Sequence, residues 1–91
     1  MVEADFIIQH PQGVIAARAG VIVYLGTAEE MPQQVRRLKH AMRIDATGCL
    51  VLPSRATPLA IGAPLNVVIV KEGEPDTVRM EIANGKIVRW R

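Results

Sequence analysis

The chain has 91 residues, with 11 Lys+Arg against 9 Asp+Glu and a formal net charge of +2. A length of this order holds one small domain over residues 1–91, burying about 60–65% of its unfolded surface, and 49% apolar residues are too many for a disordered chain. The basic excess is mild and the only aromatics, Phe6, Tyr24 and Trp90, lie far apart, unlike the basic, aromatic-laced stripe of a nucleic-acid binder.

The first residues, Met1 to Asp5, carry no positive stretch followed by a long apolar run, so no signal peptide is read here. Val and Ile dominate the apolar set and favour a pleated, half-buried surface. Asp5 to Gln9 reads as a strand ended by the turn His10-Pro11-Gln12-Gly13. Val14 to Arg18 and Val21 to Leu25, separated by Gly20 and closed by Gly26, extend it into a three-strand meander.

The period then changes. Met31, Val35, Leu38 and Met42 recur at the spacing of one helix face, with Arg36, Arg37, Lys39 and Arg43 off it. Thr27 and Glu30 have capping-box spacing. Pro32 would cost a backbone hydrogen bond deeper in a helix, so the helix is predicted over about 32–41, with proline in its first turn.

Arg43 to Asp45 and Cys49 to Leu52 read as strands around Thr47-Gly48. Residues 53–64 contain three prolines and read as a loop or irregular crossover. Asn66 to Lys71 is an apolar strand, followed by a turn at Glu72 to Asp76. Thr77 to Ala83 alternates, and Asn84-Gly85 joins it to Lys86 to Trp90. That dipeptide between alternating runs is a hairpin signal, because a type I′ turn needs positive φ at both central residues.

These segments, in this order, resemble the composite β-sandwich domain of the metal-dependent amidohydrolase superfamily, the group of dihydroorotases, imidazolonepropionases and adenine deaminases. Asp5-Phe6-Ile7-Ile8 is similar to its opening strand, and Gly20 to Gly26 to its glycine-flanked aliphatic strand. Ile44-Asp45-Ala46-Thr47-Gly48 through Pro53 resembles the approach to its catalytic barrel. Gly62 to Ile69 resembles the segment that follows the barrel, and Ala83 to Val88 the closing hairpin. The resemblance covers nearly the whole chain. It implies a sandwich into which relatives insert a (β/α)8 barrel that hydrolyses non-peptide C–N bonds.

The departures bear on function. Ser54 follows Pro53 where the family has Gly, and the metal-binding His-x-His is missing. Residues 54–60 stand where a barrel of roughly 250 residues belongs. Asn66 occupies a usual Asp position, and the predicted helix is an insertion. No metal ligand of the family has a counterpart.

Independent candidates for chemistry are few. A hydrolytic metal site needs several converging His or carboxylate ligands and an open position. His10 falls in a turn and His40 on the predicted helix surface, which makes both solvated side chains rather than partners in a site. Cys49 is the only cysteine, which fits a reducing compartment, and a structural thiol is its default role. Asp45, two residues before Thr47, reads as a backbone cap. The glycines are too dispersed for a phosphate-cradling loop. Arg36, Arg37, Lys39 and Arg43, with His40, form a basic group that suits an acidic partner, its plainer reading being a solvated face.

The expected fold is therefore mainly β, a small two-sheet β-sandwich or flattened barrel with one short α-helix. Its core is Phe6, Ile8, Ile15, Ile22, Tyr24, Leu50, Leu52, Val68, Val70, Met80, Ile82 and Val88, with Val35, Leu38 and Met42 of the helix laid against a sheet. The expected function is that of a stand-alone, non-catalytic structural or oligomerisation module without cofactor or metal. It is expected in the cytoplasm, off the membrane and as a homodimer. The alternatives are a subunit completing a separately encoded amidohydrolase barrel, and a basic adaptor for an acidic partner. Nucleic acid is the less favoured ligand.

Overall fold

Aliphatic runs punctuated by Gly, Pro and Asn turns give a chain of strands. The computed structural model describes residues 1–90. The elements are β1 (Val2–His10), β2 (Gly13–Arg18), β3 (Val21–Gly26), α1 (Met31–Gln34), β4 (Val35–Asp45), β5 (Cys49–Pro53), β6 (Val67–Lys71), β7 (Glu74–Ala83) and β8 (Lys86–Trp90). They form two four-stranded sheets, β3-β2-β1-β4 and β5-β6-β7-β8. All neighbours are antiparallel except β1 and β4, which run parallel. The mainly β fold, the two sheets and the single short helix match the sequence expectation.

The inner faces of the sheets share one core. Phe6, Ile8, Ile15, Ala17 and Ile22 of the first sheet meet Val67, Ile69 and Ile82 of the second, with Ala46 and Leu65 between them. A smaller cluster, Ala4, Ile7, Val14, Ala16, Tyr24 and Val35, lies on the other face of the first sheet under Met31. Thr27 carbonyl oxygen accepts the Tyr24 hydroxyl at 2.8 Å and Met31 N–H at 3.2 Å, which ties this cover down. Burying one full aliphatic side chain is worth about 1.5–3 kcal/mol, so the inner core is the main source of stability.

The helix is much shorter than the spacing predicts. It ends at Gln34, and residues 35–41 belong to β4. The register gives the reason. Ala4 pairs with Arg37 and Phe6 with Met42, so two steps along β1 face five along β4. The extra residues bulge out of the ladder. A two-residue alternation interrupted in this way imitates a helical period. An isolated helix of this length is marginal in water, whereas β1 supplies ladder partners for both ends of β4.

Several expected core residues are also placed differently. Phe6, Ile8, Ile15, Ile22, Tyr24, Val70 and Ile82 are buried, but Leu52 is 38% and Val88 52% exposed. Leu50, Val68 and Met80 are half-buried. Leu50 and Leu52 pair with Val70 and Val68 on the outer face of the second sheet, where Val70 is buried but Leu52, next to the end of β5, is left exposed.

The crossover from β5 to β6 is tightly bonded. Ile22 N–H donates to Ala63 oxygen at 2.9 Å, Gly62 N–H to Ile22 oxygen at 2.8 Å and Leu65 N–H to Gly20 oxygen at 2.8 Å. These bonds cover the first part of β3's free edge, at Val21 and Ile22. The buried Asn66 links the crossover to the turn between β7 and β8. Its Nδ2 donates to Thr57 Oγ1 at 2.9 Å, and its Oδ1 accepts Asn84 N–H at 2.7 Å.

Candidate functional site

β4 is the edge strand of the first sheet, and it carries most of the residues singled out in the sequence. They lie on a strand and its bulge, not on a helix. The register slip sorts them. Before it, Val35 and Arg37 lie beside Val2 and Ala4; after it, Arg43 lies beside Ile7. Ala4, Ile7 and Val35 belong to the outer cluster, so Arg37 and Arg43 share that face. Met42 and Ile44 lie beside Phe6 and Ile8, on the inner face.

On the outer side, Arg36, Arg37 and Arg43 line one cleft with Met31, Pro32 and Val35. Lys39 does not join them; it is exposed on the bulge. Arg36 forms an ion pair with Glu3, and Arg43 reaches Gln9 Oε1 at 3.5 Å.

On the inner side, β4 meets the second sheet and leaves two further clefts. One, of about 620 Å³, is bordered by Asp5, Phe6, His40, Met42, Lys86 and Ile87. The other, of about 380 Å³, is bordered by Ile44, Cys49, Met80 and Trp90, with Asp45 and Arg79 among its charged residues. Between them, β8 forms the free edge of the second sheet. Met42 is 48%, Val88 52% and Trp90 73% exposed. Met42 thus opens into the first cleft and Trp90 into the second, each beside charges of both signs, and Val88 is exposed on β8.

The remaining candidates are apart. His10 Nδ1 hydrogen-bonds Gln12 Oε1 at 3.2 Å in the β1–β2 turn, and His40 lines the first inner cleft. No three His, Cys, Asp or Glu side chains among the described residues gather as a metal set. Cys49 is half-buried against the inner core. Asp45 accepts both Thr47 N–H at 3.0 Å and Thr47 Oγ1–H at 2.5 Å. The hydroxyl bond, the amide bond and the nearby Arg43 charge hold its carboxyl below the ordinary aspartate value. It caps the turn from β4 into β5.

These exposed apolar side chains were not singled out in the sequence as a site. Met42 was assigned to a helix face and Val88 to the core, and Trp90 was not placed at a site. The usable signal was the pairing of Met80 with Trp90 across the Asn84-Gly85 hairpin, which sets Trp90 at a sheet edge. Among the described residues no helix is long and apolar enough to cross a membrane. Comparison with family models, with curated proteins and with solved structures finds no match.

Proposed function

We propose that this chain is a stand-alone, non-catalytic module of the amidohydrolase composite-domain type that works by association, docking the β4–β8 side against a second copy of itself. The observation that carries this is the exposure of Met42 in one cleft and Trp90 in the other, at the free edges of β4 and β8. Large apolar side chains left open among polar residues suit an interaction surface, and Trp in such a setting is a favoured hot spot. Asp5 and Asp45 alternate with Lys86 and Arg79 around it. A mixed-sign rim suits the isologous contact of a two-fold dimer, which sets each patch against itself.

Side-chain packing suits this contact better than strand pairing. The start of the β3 edge is covered by the crossover, β5 ends at Pro53, and β4 and β8 both carry register shifts. Such devices blunt edges. The bonded crossover at residues 54–66 also supports a self-sufficient domain, since it occupies the place where the resemblance would put a barrel. The reading places the domain in the cytoplasm, in keeping with a single unpaired thiol.

Completion of a separately encoded barrel is the second reading, favoured by the same open side. Light scattering after size exclusion, with and without native extract, separates the two. A mass near twice 10.0 kDa in both conditions supports self-association. A monomer drawn into a larger complex only by extract contradicts it and supports the second reading.

A further inference from the structure

The outer cleft of β4 has a floor of Met31, Pro32 and Val35 and a volume of about 450 Å³. Its rim is cationic through Arg36, Arg37 and Arg43, with Lys39 on the adjacent bulge. Little of that charge is used within the chain. Glu3 pairs with Arg36. Gln9, an uncharged acceptor, meets Arg43. Asp45 feels Arg43 but is bonded to Thr47. Arg37 has no hydrogen bond or ion pair among the described residues.

We propose that this cleft docks an acidic segment of a partner protein. An apolar side chain of the segment seats on Met31, Pro32 and Val35, and flanking carboxylates meet Arg37 and Arg43. Charge complementarity selects this occupant, because the planar guanidinium fork matches a carboxylate bidentately. The apolar floor gives the segment an anchor that a bare polyanion would not use. Nucleic acid fits less well: single strands bind through aromatic platforms on which bases stack, and no aromatic side chain lines this cleft. The site is on the opposite face of β4 from Met42, so it stands independently of self-association.

The test is fluorescence anisotropy with a labelled peptide in which glutamates flank leucines, against labelled polyglutamate and a labelled single-stranded RNA, at low and physiological salt. The leucine-bearing peptide is expected to bind most tightly and to weaken several-fold as salt rises, through screening of exposed charges. Arg37→Glu with Arg43→Glu is expected to weaken it at least about tenfold, reversal of two exposed charge contacts being of that order. Pro32→Glu, which puts a charge on the cleft floor, is expected to do the same without touching an arginine. Both changes are at exposed residues, and melting curves confirm that the variants are folded. Equal binding of polyglutamate, preference for RNA, no binding of the peptide, or binding unchanged in both variants would each overturn the proposal.

Discussion

Replacing Asn66 by Ala removes the buried side chain that ties the crossover to the β7–β8 hairpin. Asn66 is 7% exposed and spends both ends of its amide, on Thr57 Oγ1 at 2.9 Å and on Asn84 N–H at 2.7 Å. Each net hydrogen bond is worth about 0.5–1.5 kcal/mol, and a stranded donor adds to that. The expected loss is about 2–3 kcal/mol, out of the roughly 5–14 kcal/mol that a domain of this size possesses. That lowers the melting temperature by about 8–20 °C. Thr57→Val removes the first bond and the one the Thr57 hydroxyl gives to Arg55 oxygen at 3.2 Å, and should cost about 1–2 kcal/mol. Urea denaturation followed by far-ultraviolet circular dichroism measures both, and the double variant should lose less than the sum, because one bond is counted twice. A loss below about 0.5 kcal/mol for Asn66→Ala, the size of an ordinary surface change, would refute the assignment of Asn66 as the tie.

Three further outcomes follow from the same geometry. Gly20→Ala places a Cβ in hard contact with Asn84 oxygen at a φ of +83°, so backbone must move; a loss of about 2 kcal/mol or more is expected in the same denaturation assay. Ser54→Ala removes a buried hydroxyl without a protein partner and should leave stability unchanged or raise it by up to about 1 kcal/mol on the same urea curve. Asp45 has a lowered carboxyl value when folded, so its contribution is present above the unfolded value near 3.8 and is lost as pH falls through the lower folded value; the stability gap between the protein and Asp45→Ala, followed by thermal melts from neutral to acid pH, should narrow only in that acid range.

Much of the fold was legible because local rules and tertiary packing agree. The Asn84-Gly85 hairpin forms with positive φ of 51° and 75°, as its turn chemistry demands. The first meander, β5 and β6 fall close to their expected spans. What failed was the stretch after Gln34. A bulge changes the phase of a strand, and a single sequence gives no sign of which residues its neighbour will skip. The consequence for the site was direct. The arginines were expected as one helix face, yet the slip brings Arg36, Arg37 and Arg43 to the outer cleft, leaves Lys39 outside it and turns His40 and Met42 to the inner side. Leu52 and Val88 were expected inside because alternation tells which residues share a face, not whether anything covers it. Asn66 stood out only as a departure from a resembled pattern, and its two bonds depend on Thr57 and Asn84, distant in sequence.

Self-association through the β4–β8 side is tested most directly by sedimentation equilibrium of the protein and of Trp90→Ala over a range of concentrations. Trp90 is 73% exposed, so its replacement should leave the protomer folded, the melting temperature falling only by what the weakened dimer contributed. As a hot spot worth about 2 kcal/mol, its removal should weaken the dimer about thirtyfold. A protein that stays monomeric at all concentrations, or a dimer whose constant is the same without Trp90, would contradict the account.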